Sequence, residues 1–165
     1  MKSNIFLYCI YSRLKLLYIL STIFISMHKL RNLNVYQSEI KLVIKGSGYS
    51  QFLSDDFNTE PDEVIINGEI NDSCKKNCIF DNDLNNVTIK FNNQITSCEN
   101  MFYGLINITE IDLSNFDASH VESMAFMFSQ CLGLEKINFG EIDTSSVTLM
   151  NNLFQNCTKL TSIDL

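Results

Sequence analysis

Residues 101–126 read MFYGLINITEIDLSNFDASHVESMAF, and residues 127–152 read MFSQCLGLEKINFGEIDTSSVTLMNN. The two segments align without insertion or deletion, and the same pattern extends back to Asn93 and forward to Leu165. A fixed period between about 20 and 50 residues is the signature of a protein whose similar units stack to share one core. We therefore expect residues 93–165 to be stacked copies of one unit.

Each unit is predicted to contain a helix followed by a strand and a turn. Ser119 and Glu122 fit a helix capping box, and Gly133 stands where such a helix would end. Between them apolar residues recur at spacings of three or four, as on one face of a helix: Val121, Met124, Phe128 and Cys131. A short extended run follows in residues 134–139, and the alternation of its last four residues is typical of a half-buried strand. The sequence thus predicts an α/β repeat solenoid with a parallel sheet on one side.

One such unit is too small to fold alone, because ordering its residues costs more than burying its apolar side chains returns. At least three units are normally needed for stability. The chain holds two complete copies, a leading fragment and a trailing half. We therefore expect the array to be truncated at its C-terminal end or to be a fragment of a longer one.

The repeat resembles that of the BspA-like leucine-rich-repeat surface proteins, in the 26-residue form of mycoplasma lipoproteins and protist surface proteins. The segments NMFYGLINITEIDLSNFDASHVESMAFMFSQCLGLEKINF and EIDTSSVTLMNNLFQNCTKLTSIDL carry the resemblance. Leu105 departs from the family pattern, which has cysteine there. The resemblance implies a non-catalytic, secreted or surface-attached protein used in adhesion or matrix binding. It implies no shared catalytic or ligand-binding residues.

Residues 1–31 have the features of an export signal. They contain five basic residues and no acidic one, and an apolar run extends from Leu16 to Met27. That run suits the apolar region of a signal peptide and is shorter than the ~20 residues of a membrane span. We expect a secreted or cell-surface protein that meets the membrane only through this leader. An uncleaved anchor and a wrongly assigned start codon are the alternatives, and the last would make the protein cytoplasmic.

Residues 36–92 lack the repeat and are predicted to be rich in strands. Ile40–Ile44 and Val87–Phe91 have the apolar and β-branched composition of strands. Residues 64–70 predict a hairpin that turns at Asn67-Gly68. This β-rich region is interpreted as a cap over the end of the stack, with an independent binding domain as the alternative.

The charge balance argues against a nucleic-acid partner. All nineteen acidic residues but only seven of the twelve basic residues lie after residue 31. Nucleic-acid binding requires a basic surface, so this acidic composition disfavours it.

Five of the six cysteines lie after residue 31, and these fall into two classes. Cys98, Cys131 and Cys157 lie on the apolar stripe and are predicted to be core residues. Cys74 and Cys78 lie in a polar loop and are the candidate disulfide, although either could also pair elsewhere. A zinc site would need two further ligands, and no histidine is near in sequence, so no metal site is predicted.

The sequence predicts binding and no catalysis. His120, the one histidine outside the leader, is expected to be exposed. No nucleophile has a base pattern around it, no phosphate-binding loop is present, and no cofactor is predicted. The expected function is recognition of a protein or extracellular-matrix partner through the strand face. The central candidates for that face are Glu110, Asp112, Glu135, Lys136 and Asn138, flanked by Thr109, Thr161, Ser162 and Asp164.

Three alternatives remain open at this stage. The strand face could be merely solvated. The protein could be an intracellular repeat scaffold. The chain could also be a fragment of a larger protein whose active domain lies elsewhere.

Overall fold

A computed structural model describes residues 38–164, so the predicted leader lies outside the described residues. The described chain contains nine strands, and none of its residues is helical. The strands are β1 (Ser38–Lys45), β2 (Gly48–Gln51), β3 (Glu63–Ile66), β4 (Glu69–Ile70), β5 (Asn77–Phe80), β6 (Leu84–Phe91), β7 (Ile108–Asn115), β8 (Lys136–Asn138) and β9 (Ser162–Asp164).

Seven of these strands form one mixed sheet in the order β4-β3-β6-β1-β7-β8-β9, while β2 and β5 form a separate antiparallel pair. The half from β4 to β7 is antiparallel. Its strands alternate apolar and polar residues, and Ile40, Leu42 and Ile44 of β1 are all buried. This alternation is what a sheet with one face on the core requires.

The strand predictions for residues 36–92 are confirmed. The predicted strand Ile40–Ile44 lies within β1, and the predicted strand Val87–Phe91 lies within β6. The hairpin of β3 and β4 turns at Asn67 and Gly68, whose φ angles are 52° and 92°. Two left-handed residues give the type I′ turn that matches the twist of paired strands.

Strands β7, β8 and β9 are parallel neighbours spaced 26 residues apart along the chain. Glu110 lies beside Lys136, and Lys136 lies beside Ser162. The parallel alignment of strands at equivalent repeat positions, which the sequence predicted, is present in the structure. Sequence did not predict that β1 pairs with β7 and so joins this parallel part to the antiparallel part.

The predicted helix within each repeat is wrong. In residues 126–131 the backbone amides bond alternately within the segment and sideways to the next repeat. The Ser129 and Cys131 amides donate to carbonyls three residues back, at 3.0 and 3.2 Å. The Phe128 amide instead donates to Leu153 O at 3.1 Å. A helix would send every amide to the carbonyl four residues back, so this segment is a series of turns.

Left-handed residues recur in these turns at fixed repeat positions. Asn100, Phe126 and Asn152 have φ angles of 57°, 56° and 55°. Residues 104, 130 and 156 repeat the feature four residues later. Left-handed residues cannot continue a right-handed helix, and they reverse the chain here within a few residues.

The proposed capping box is wrong for the same reason. Ser119 does not begin a helix; its amide and hydroxyl both donate to Asp117 Oδ1, at 2.9 and 2.6 Å. The Ser145 amide makes the equivalent bond to Asp143 Oδ1 at 2.9 Å. Both are aspartate-initiated turns that reverse the chain between one strand and the next repeat.

The fold class of an α/β leucine-rich-repeat solenoid is therefore also wrong. The described chain is a mostly β protein whose repeats contribute turns and short strands to a sheet shared with residues 38–91.

The core contains an aromatic column at equivalent repeat positions. Phe128 lies between Phe102 and Phe154, with ring centroids 5.7 and 5.5 Å apart and ring planes within 9° and 5° of parallel. The ring of Phe139 meets Phe128 edge-on at 6.1 Å. Phe102 and Phe128 are fully buried. The column ties successive repeats together where their backbones also bond sideways.

Candidate functional site

An open groove of about 390 Å³ runs across the exposed face of the sheet, over strands β6, β1, β7 and β8. We call it the sheet-face groove. Its lining consists of the outward side chains of four neighbouring strands and the backbone between them: Lys41, Leu42, Val43, Asn86, Val87, Thr88, Glu110, Ile111, Asp112, Lys136 and Asn138.

Strand register places these side chains in rows across the sheet. In one row Lys41 pairs with Asp112, and Asp112 pairs with Asn138. Successive side chains of a strand point to opposite faces, so residues paired in register share a face. The next row runs through Val43, Glu110 and Lys136 in the same way. The groove therefore presents rows of mostly polar residues above a layer of buried apolar residues.

Asp112 is held in place within the groove by two hydrogen bonds. Its Oδ1 accepts a hydrogen bond from the Ser114 amide at 2.9 Å and another from Asn138 Nδ2 at 3.1 Å. Burial by itself would raise the pKa of Asp112, but the hydrogen bonds from Ser114, the charge of Lys41 and the Asn138 amide outweigh it. The net result is a lowered pKa, so this carboxylate stays ionised at neutral pH and is fixed in orientation.

The groove is close to electrically neutral on an acidic protein. Lys41 and Lys136 face Glu110 and Asp112 there, whereas residues 32–165 as a whole have seven lysines and nineteen acidic residues. Lys41 Nζ also lies 3.1 Å from Glu39 Oε1 on the same strand. This exposed ion pair contributes little to stability, and Lys41 remains about half exposed and free to meet a ligand.

The structure brings together four of the five central residues selected from sequence. Glu110, Asp112, Lys136 and Asn138 all line the sheet-face groove. Glu135 is exposed but lies just before β8 and outside the groove lining. Its carbonyl accepts the Thr161 amide at 3.0 Å, so its backbone links two repeats.

The flanking residues selected from sequence also lie outside the lining. Thr109 donates its hydroxyl to Val43 O at 3.2 Å, and Thr161 donates its hydroxyl to Glu135 O at 3.2 Å. Ser162 and Asp164 belong to β9, beyond the end of the groove.

Three polar residues of the groove come from outside the repeat and were not predicted from the sequence. Lys41, Asn86 and Thr88 belong to β1 and β6. The alternation of each strand marks these side chains as outward-facing. Their proximity to the repeat depends on the pairing of β1 with β7, which no local pattern indicates.

Cys74, in the loop before β5, forms a disulfide with Cys78 in β5 itself. The loop is further ordered by Asn71, whose Oδ1 accepts the Ser73 and Cys74 amides, both at 3.2 Å. This loop lies outside the sheet-face groove.

The other described cysteines are thiols of the core. Cys98 and Cys131 are fully buried, and Cys157 is half-buried. Burial raises the pKa of Cys131 to about 12 and raises the pKa values of Cys98 and Cys157 as well. Cys131 and Cys157 donate their thiols to the carbonyls of Phe102 and Phe128, at 3.0 and 2.9 Å. Their repeated position thus has a structural role between neighbouring repeats.

Two further features are absent from residues 38–164. No group of three or more His, Cys, Asp or Glu side chains in this range could hold a metal ion. No helix in the same range is long and apolar enough to span a membrane. His120 is exposed, as predicted, and its Nδ1 lies 2.8 Å from the Ser119 hydroxyl.

Fold and groove together define a class: a mostly β, repeat-containing protein with a shallow polar groove on its sheet. Residues 71–164 match the family model described as "Mycoplasma protein of unknown function, DUF285". Because the match covers more than half of the chain, the protein belongs to this family. Neither a curated protein nor a solved structure matches the chain.

Proposed function

We propose that the protein is a non-catalytic, surface-associated recognition protein that binds a protein or matrix partner through the sheet-face groove. The observation that carries the proposal is the convergence of Lys41, Glu110, Asp112 and Lys136 in one open groove. Such a shallow surface, with charges of both signs close together, suits a polypeptide that presents complementary charges. It does not enclose a small molecule as a typical ligand pocket does.

The resemblance to BspA-like surface proteins supports the same proposal. The segments that resemble BspA-like surface proteins lie within the part of the chain that matches the family, apart from Leu165. Residues 110–138, which supply half of the groove, belong to those segments. We therefore propose a role in adhesion, because it agrees with both the resemblance and the groove.

Charge reversal of the two groove lysines tests the binding face. Purified chain carrying Lys41→Glu and Lys136→Glu would be compared with the unmodified chain for binding to a panel of immobilised matrix proteins. We expect at least about a tenfold loss of affinity. Each groove lysine attracts negative charge on the partner, and its replacement by glutamate repels that charge. Circular dichroism and a urea midpoint would establish that both proteins are equally folded.

Lys159→Glu is the matched control, because Lys159 is exposed and lies outside the groove. It changes net charge in the same sense, by two units where the double variant changes it by four, without touching the proposed face. Equal binding by the double variant and this control would refute the groove assignment. Binding to no member of the panel by the unmodified chain would instead contradict the proposed matrix partner.

Surface location is the second part of the proposal. The Cys74–Cys78 disulfide supports it, because disulfides persist mainly in oxidising compartments. An epitope-tagged full chain should be removed by trypsin from intact cells, and mass spectrometry should find Cys74 and Cys78 linked. A trypsin-resistant pool released only on lysis, with both cysteines reduced, would instead favour the intracellular scaffold.

A further inference from the structure

A second open pocket, of about 390 Å³, lies between the loop after β2 and the turns of residues 94–100. We call it the polar pocket, and it shares no lining residue with the sheet-face groove. Its volume falls within the range of small-molecule sites, roughly 300–1,000 Å³. Its lining is polar apart from one buried phenylalanine: Asp56, Phe57, Asn58, Thr59, Gln94, Thr96, Ser97, Glu99 and Asn100.

The loop that forms one wall of the polar pocket is fixed in place. The Ser54 amide anchors it to the repeat by donating to Met101 O at 2.9 Å. Phe57 is buried and meets Phe91 edge-on, with ring centroids 6.3 Å apart. The carbonyl of Phe57 also accepts a hydrogen bond from Lys76 Nζ. This wall therefore keeps its shape without a ligand.

The opposite wall is fixed by the following repeat. The Cys98 amide donates to Ser123 O at 2.8 Å. The Asn100 amide donates to Ala125 O at 3.1 Å. Because the backbone of both walls is already held, a ligand has only side chains to order, which lowers the entropic cost of binding.

The side chains of the polar pocket are largely unbonded to the rest of residues 38–164. The exception is Ser97, whose hydroxyl accepts the Glu99 amide at 3.2 Å. The other polar side chains of the lining make no hydrogen bond or ion pair with a described residue. Six amide or hydroxyl side chains and two carboxylates are thus available to a ligand.

Glu99 is a feature of this copy of the turn and is not required by the fold. Ala125 and Asn151 occupy the equivalent positions of the following repeats. Ala125 is only 4% exposed, whereas Glu99 is exposed and lines the polar pocket. A carboxylate therefore replaces a small buried residue in the one copy that faces the loop after β2.

We propose that the polar pocket binds a neutral saccharide. Each sugar hydroxyl both donates and accepts hydrogen bonds, and so do the amide and hydroxyl side chains of the lining. The carboxylates of Asp56 and Glu99 accept charge-assisted hydrogen bonds, the stronger kind, from sugar hydroxyls. The protein therefore has a glycan site in addition to the sheet-face groove.

The lining disfavours the other classes of ligand. Asp56 and Glu99 repel phosphate and other anions. An apolar molecule meets no exposed apolar side chain, because Phe57 is buried. No group of three or more metal-ligating side chains occurs in the part of the chain that the structure describes. A lysine of a peptide would pair with the carboxylates but would leave the donors of the side-chain amides without acceptors.

The test titrates the isotope-labelled full chain with the methyl glycosides of glucose, galactose and mannose and with N-acetylglucosamine. NMR would follow the side-chain amide signals of Asn58, Gln94 and Asn100. We expect saturable shifts of these signals with at least one sugar. Glu99→Ala should weaken that binding by about tenfold or more, as expected for the loss of a hydrogen bond to a charged group.

Glu141→Ala is the matched control, because Glu141 is exposed and lies outside both the polar pocket and the sheet-face groove. It removes the same charge and should leave the affinity unchanged. Glu99→Ala should fold normally, since the next repeat has Ala125 at this position, and a dispersed amide spectrum would verify it.

The absence of saturable shifts with all four sugars would overturn the proposal, and so would equal affinities of the two variants. Stronger binding of Nα-acetyl-lysine amide than of every sugar would also overturn it, because the carboxylates would then select a cationic side chain of a polypeptide. These outcomes are independent of the sheet-face groove, which has no residue in common with the polar pocket.

Discussion

Replacing Phe128 with alanine is expected to lower the free energy of unfolding by about 3–5 kcal/mol, the range for deleting a buried aromatic side chain. Phe128 is fully buried, stacks between Phe102 and Phe154, and meets Phe139 edge-on. Its loss would leave a void in the middle of the column with rings on both sides. Because small domains are stable by only about 5–15 kcal/mol, urea denaturation should show a large shift of the midpoint.

Phe126→Asn is the matched control for this experiment. Phe126 lies two residues away, is half-buried and has a φ angle of 56°, where the equivalent residues are Asn100 and Asn152. Asparagine tolerates the left-handed conformation better, which offsets part of the lost apolar burial. We expect a change within about 1 kcal/mol, typical of substitutions away from a packed core. Equal losses for the two variants would contradict the aromatic column.

Replacing Gly133 with alanine is expected to cost about 3 kcal/mol, the upper end of the range for overpacking. A Cβ at Gly133 would lie 2.0 Å from the Ile106 carbonyl oxygen and 3.0 Å from its carbon. These are backbone atoms of the preceding repeat, so relief requires the two repeats to separate. Thermal and urea unfolding of the purified variant would measure the loss.

Gly104→Ala is the control, because Gly104 has a φ angle of 73° but nothing within 4 Å of an added Cβ. Its expected cost is about 1 kcal/mol, which comes from left-handed backbone strain alone. A loss at Gly133 no greater than that at Gly104 would show that the two repeats do not approach as closely as described.

The repeat period and the strands were predictable from sequence. The turns that stand where helices were predicted were not. Successive turns in residues 98–105 bond the Met101 amide to Cys98 O and the Leu105 amide to Phe102 O, each at 3.2 Å. Such turns bring an apolar side chain to the core every three or four residues, which is also the spacing of a helix. What separates the two structures is the sideways bonding of alternate amides. That bonding depends on the neighbouring repeat, so no local pattern reveals it.

Half of the sheet-face groove was predictable from the repeat. Glu110, Asp112, Lys136 and Asn138 were selected because the strand pattern faces them outward, and all four line the groove. The other half depends on β1 lying between β6 and β7. Contacts there join residues as far apart as Val43 and Thr109, which are 66 positions apart. Pairing at such separation is a property of the assembled core and leaves no local signal.

The repeats bond sideways at a spacing of 26 residues, and residues 38–164 contain no helix. Solution NMR of residues 119–131 and 145–157 in the full chain tests this arrangement most directly. We expect non-helical backbone shifts and cross-repeat contacts, such as that between the Phe128 amide and Leu153. Consecutive helical shifts through residues 121–131, with contacts only three or four residues apart, would contradict it.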